Sequence, residues 1–201
     1  MKNMLAAAFL FSGLCFSGCT YSIRPILTEK ELVHDIDLNG QWQADPKALA
    51  KPSDKPAVIE LKGFDENSSY DFEYGSAADP EKEFVMRVGR LGDVTVAEFA
   101  QLEPIGPPIA HGLPVYVVSK LELKNDTLTL RELDDLKCRK ALEEDKVPFF
   151  VYEVGHGSGI EHTVMLAPTA QIQEFLRRRH AEVFTGQVHV RRRQPKKAEQ
   201  K

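Results

Sequence analysis

The residues able to do chemistry fall in four stretches of this 201-residue sequence. Cys15 and Cys19 stand four positions apart in GLCFSGCTYS (13–22), and Cys138 sits among cations in KCRK (137–140). GHGSGIEH (155–162) sets His156, Ser158, Glu161 and His162 among three glycines, and IGPPIAHGLP (105–114) is a stretch stiffened by prolines. A zinc site built on Cys15 and Cys19 needs two more ligands, and no nearby His or Cys supplies them. Cations around Cys138 lower a thiol's pKa, as in reactive cysteines. A free cysteine is more often a small core residue, and Cys138 is read so here. A nucleophile elbow needs glycines two before and two after its serine, where Ser158 has His156 and Ile160. His156, Glu161 and His162 have ligand chemistry, but a metal needs rigid supports. Glycines clustered between apolar runs read instead as a turn. The proline-stiffened stretch reads as a strand connection, because no polar set converges on it. His34, His111, His180 and His189 are scattered. With no nucleophile and base at a recognisable spacing, the expectation is a non-enzyme with neither metal nor cofactor.

The two early cysteines belong to a different kind of signal. Lys2 is followed by an apolar run from Met4 to Phe16, then Ser17, Gly18 and Cys19. Thirteen helical residues reach roughly 20 Å, short of the roughly 30 Å needed to span a bilayer. A basic start, a short apolar core and small residues before a cut describe a secretory signal peptide. FSGC further resembles a bacterial lipobox, with Phe16 where leucine is usual. That resemblance implies cleavage between Gly18 and Cys19, a diacylglyceryl group on the Cys19 thiol, and acylation of the new amino group. Cys15 cannot take the role, since Leu14 stands where a small residue is required, and it leaves with the peptide. Two or more acyl chains give a stable anchor. An unlipidated signal peptide is the alternative reading. Thr20 is not the aspartate associated with inner-membrane retention, so the expected location in a cell with two membranes is the periplasmic face of the outer one.

The remaining chain is long enough for one domain with a proper core. A lipidated Cys19 leaves Cys138 without an intrachain disulfide partner. Net charge is −4, yet residues 187–201 carry six basic residues against Glu199, so the rest is decidedly acidic. An acidic exported domain lacks the basic face that nucleic acid requires. The expected boundaries are a lipoprotein signal peptide over 1–18, a tether over 19–38, a β domain over 39–193 and a disordered basic tail over 194–201.

From Asn39 onward apolar residues alternate with polar ones between turn residues, the sign of antiparallel strands. Strands are expected near 40–44, 57–62, 70–74, 84–91, 94–99, 115–123, 127–133, 149–154, 162–166 and 187–192. An Asn125–Asp126 turn pairs Leu123 with Leu128 and Leu121 with Leu130, placing four leucines on one face and Glu122 and Thr129 on the other. A Gly92–Asp93 turn sets Val88 against Ala97, Met86 against Phe99, and Arg87 against Glu98 on the outer, solvated side, where such a pair contributes little. Residues 134–145 read as a short connecting helix. Residues 168–184 read as a second helix capped by Thr169 and packed through Ile172, Phe175, Leu176, Val183 and Phe184, with Gln173 and RRRH (177–180) exposed.

Gly40 and Trp42 in LNGQW (38–42) resemble the G-x-W of lipocalins, where the indole closes one barrel end under an arginine near the last strand. The resemblance implies that Arg191, Arg192 or Arg193 stacks there. The whole layout resembles a group of uncharacterised bacterial lipoproteins with a lipobox, an L-x-G-x-W start, a meander, an APTAQIQEFL-like helix (167–176) and a basic end. The expected fold is mainly β, an antiparallel meander forming a lipocalin-like β-barrel with a C-terminal helix packed on it. The expected function is a non-enzymatic binding or structural role at the membrane, with an envelope protein as a partner. The alternatives are a carrier of an apolar small molecule or lipid, lined by residues such as Met86, Phe99 and Leu121, and, third, an exported hydrolase.

Overall fold

In the computed structural model, residues 20–44, 58–63, 69–76, 79–101, 115–153 and 161–193 are described. They form eleven strands, β1 (Thr20–Ser22), β2 (Gly40–Ala44), β3 (Val58–Gly63), β4 (Ser69–Ser76), β5 (Asp79–Leu91), β6 (Val94–Gln101), β7 (Tyr116–Lys124), β8 (Thr127–Glu132), β9 (Phe149–Glu153), β10 (Glu161–Met165) and β11 (Val188–Arg192). Two helices join them, α1 (Asp135–Glu144) and α2 (Thr169–Val183).

Strands β2 to β8 pair in sequence order, β7 also pairs with β6, and β11 closes the ring between β8 and β2. The result is a closed eight-stranded antiparallel meander barrel, consistent with a lipocalin-like fold. Turn chemistry sets its registers. Asn125 and Asp126 both adopt positive φ, as a two-residue primed turn demands. Leu121 therefore faces Leu130, and Leu123 faces Leu128. Leu121, Leu128 and Leu130 enter the interior, whereas Leu123 stays 41% exposed at the rim. Gly92 has φ +69, and its hairpin pairs Met86 with Phe99, Val88 with Ala97 and Arg87 with Glu98.

There are two cores. Trp42, Ile59, Leu61, Phe72, Phe84, Met86, Phe99 and Leu121 belong to the one inside the barrel. The other lies outside the wall, where Leu91, Val94, Val96 and Val118 meet Cys138 and Leu142 of α1 and Ile172, Phe175 and Leu176 of α2. Strand β6 thus reads apolar on both faces because both are covered. Asp134 caps α1 by accepting the Lys137 N–H at 3.1 Å. Thr169 does not cap α2. The cap position falls on Pro168, and the Thr169 hydroxyl donates to the Pro25 carbonyl at 2.8 Å.

That bond exposes the main departure from expectation. Residues 20–38 are not a free tether; they are built into the fold. Strand β1 runs antiparallel to β7 and parallel to β10, continuing the track that β8 leaves when it turns into α1. Ile26 and Leu27 are buried in the outer core, and Leu32 bridges Gly89 at the end of β5. Val33 donates to the Val88 carbonyl, and Arg90 donates to the Glu31 carbonyl, so this strap occupies the place that β4 has vacated. Burying side chains of this size stabilises by roughly 1.5–3 kcal/mol each. The strap ends at Leu38, which is fully buried against the barrel interior.

Candidate functional site

The end of the barrel that carries the tight turns is closed by residues from three segments. Gly40 opens β2 with φ +124, a backbone region open to glycine and strained for other residues. Two residues on, Trp42 is completely buried and donates its indole N–H to the Leu38 carbonyl at 2.9 Å. Among the three candidate arginines it is Arg192 that stacks, its guanidinium carbon 4.7 Å from the indole centroid. The same side chain donates to the carbonyls of Asp37 at 2.8 Å and Asn39 at 3.2 Å. Tyr70 donates its hydroxyl to the Ile36 carbonyl at 2.6 Å, and Gly63 donates to Asn39 at 2.6 Å. These bonds tie β3, β4 and β11 to residues 36–39, so the assembly is a plug.

Inside, aromatic side chains pack against one another. The Phe72 ring meets Phe84 and Phe99 edge-on, with centroids 6.2 and 5.2 Å apart. Met86 is fully buried, and Phe99 and Leu121 are within 7% of full burial. Toward the other end, β8 places Glu132 on the inward face, two residues beyond Leu130 and opposite the buried Ser119. No hydrogen bond or ion pair reaches its carboxyl among the described residues, and burial pushes its pKa up to about 7. An open groove of about 660 Å³ lies outside the closed end. Its walls carry Asp35, Asp93, Lys120, Glu122 and Lys124, a mixed-charge lining unlike an apolar ligand cavity.

The outer face of β6 holds the residue most missed by sequence reading. Glu98 is 1% exposed, not solvated. Its Oε2 accepts the N–H groups of Ile26 and Leu27, the latter at 3.0 Å, and its Oε1 accepts two N–H donors of Arg87. Arg87 also donates to the Leu27 carbonyl at 3.0 Å, and Gln173, which is buried, donates to the Ile26 carbonyl at 2.7 Å. One carboxylate thereby ties the strap to the wall. The available signal was VTVAEFA (94–100), whose outward positions are valine, valine, glutamate and alanine, a pattern of two buried faces.

A second ionic centre lies where β1, β10 and α1 meet. Asp135, 3% exposed, accepts the Thr20 hydroxyl at 3.1 Å, the Thr163 N–H at 3.0 Å and Arg139 at 2.9 Å. Arg139 reaches on to Glu161 at 2.6 Å. Glu161 is thus committed to an ion pair, and the His162 ring stands 5.3 Å from Tyr21, edge to face. His156 and Ser158 lie outside the described residues, as do residues 105–114, the tail 194–201, Gly18 and Cys19. Among the described residues no group of three or more His, Cys, Asp or Glu side chains is placed to hold a metal ion.

The chain matches no family model, no curated protein and no solved structure. The remaining reactive candidates resolve structurally. Cys138 is fully buried, and desolvation pushes its thiol pKa up to about 12, against the lowering expected of cations in KCRK. RRRH is more than a solvated face, since Arg178 and Arg179 both reach Asp145 at the end of α1, at 3.2 and 2.8 Å. The hydrogen bond from Arg179 holds the Asp145 carboxyl below its ordinary range.

Proposed function

We propose that this chain is a membrane-anchored envelope lipoprotein, cut before Cys19 and lipidated on it, whose barrel has a non-enzymatic binding or structural role. The observation supporting this reading is the placement of Thr20. Thr20, the residue directly after the lipobox-like FSGC, is 3% exposed and already paired in β1. The cut expected from sequence therefore lies one residue before a residue held in the sheet. The described ionic centres support a non-catalytic role, because Glu98, Asp135 and Arg192 spend their hydrogen bonds on holding chain segments together. The location on the periplasmic face of an outer membrane follows from the same signal.

The test is Cys19→Ala in the full-length gene. The wild-type amino-terminal peptide should carry the mass of an acylated cysteine and the protein should enter the detergent phase. The variant should remain uncut and unacylated. Normal cleavage of Cys19→Ala, with a water-soluble product, would establish the unlipidated signal peptide instead. A carrier role is the second reading, favoured by Glu132, a lone carboxyl facing the interior away from the Trp42 plug. Native mass spectrometry of the purified protein would reveal a co-purifying amphiphile.

A further inference from the structure

Strands β1, β10 and β9 form a flap beyond the barrel, with β9 as its edge strand among the described residues. On one face the registers align Tyr21 with Val164 and Phe150, and His162 with Tyr152. On the other, Thr20, Thr163 and Val151 share a row beneath α1. Large exposed apolar side chains are concentrated here. Of the five among the described residues, Leu136 (72%), Phe150, Val151 and Leu166 all belong to α1, β9 or the end of β10, and Leu123 alone lies elsewhere. Lys137 and Lys140 are exposed on α1 beside them, as are Glu153 and the Arg139-paired Glu161.

Asp135 locks Thr20 to this flap, and Cys19 is bonded directly to Thr20, its Cα about 3.8 Å away. A lipid carried on Cys19 would therefore be joined one residue from this lock. We propose that the α1 side of the β1–β10–β9 flap, together with the first turn of α1, is the bilayer-facing surface, with Leu136 and Val151 seated at the boundary between headgroups and acyl chains. This rests on Cys19 being the lipid-bearing residue. The anchor brings the surface to lipid, and the apolar side chains then fix how the barrel stands on it. The Asn125–Asp126 turn, at the far end of β7 from the β1 contact at Tyr116, is held roughly 25 Å away along the strand.

The experiment uses the full-length lipidated protein in vesicles of phosphatidylethanolamine and phosphatidylglycerol. Leu136→Cys, and separately Lys124→Cys as the distal site, carry an environment-sensitive fluorophore, while the buried Cys138 stays unlabelled. Doxyl-labelled lipids should quench the label at 136 at least roughly threefold more than the label at 124. Equal quenching, or none at 136, in protein that floats with the vesicles would overturn the orientation and leave the anchor intact. Protein that fails to float would overturn the anchor. A change at 136 that follows protein concentration, without lipid quenching, would assign the surface to a second copy or an envelope protein and overturn the proposal.

Discussion

Arg192 and Trp42 face each other across neighbouring strands, the guanidinium carbon 4.7 Å from the indole centroid, and so join the last barrel strand to the first. Removing the guanidinium loses the cation–π contact and two hydrogen bonds, to the Asp37 and Asn39 carbonyls. Arg192→Ala should destabilise by about 1–3 kcal/mol in urea unfolding, with Arg192→Lys intermediate. Trp42 is the single tryptophan, so a red shift of native fluorescence reports opening of the plug directly.

Gly89 is where strap and barrel come closest. A Cβ there would lie 2.6 Å from a Leu27 methyl and 2.8 Å from the Glu31 carbonyl oxygen, which is backbone and cannot rotate away. Gly89→Ala should cost about 1–3 kcal/mol, with faster hydrogen exchange confined to residues 26–33. Exchange unchanged in the strap would show that the contact bears no weight.

Glu98 accepts from two backbone amides and Arg87, so it needs a group that only accepts. Glu98→Gln presents an amide N–H to one of these donors and leaves Arg87 without a counter-charge. The expected loss is about 2–4 kcal/mol by denaturant unfolding, with early exchange of the Ile26 and Leu27 amides.

Glu132 makes stability depend on pH in a defined sense. Its folded pKa, about 7, lies above the ordinary carboxyl value of 4.5. Below the ordinary value both states are protonated and nothing is lost. As pH rises from there through the folded value, the unfolded chain ionises first and the folded state loses relative stability. Glu132→Gln should therefore be more stable than wild type at pH 8, by on the order of 2 kcal/mol, and equal near pH 4. A constant difference across that range would contradict the assignment.

The barrel was legible in the sequence because its strands obey local rules. Hairpin registers at Asn125–Asp126 and Gly92–Asp93 follow from two turn residues and period-two alternation, and the structure reproduces both. The strap was not legible. Strand β1 has three residues, too few to show a period, and its partners lie 94 to 143 positions away in sequence. Once the strap is missed, the outer face of β6 looks solvated, and Glu98 reads as a surface charge. The same error misassigned Gln173 and Thr169, whose partners are strap carbonyls. Trp42 and Arg192 sit in separate short stretches of sequence, and closure of the sheet brings them together.

The Thr20–Asp135 hydrogen bond also sets how the molecule carries force. A pull arriving at its amino-terminal side meets β1, held along its length by β10 and at Ser22 by Tyr116 of β7, and then the Glu98 carboxylate of β6 gripping the strap. Tension thus enters the closed ring from the side, through β7 and β6, by fastenings set in series along the chain.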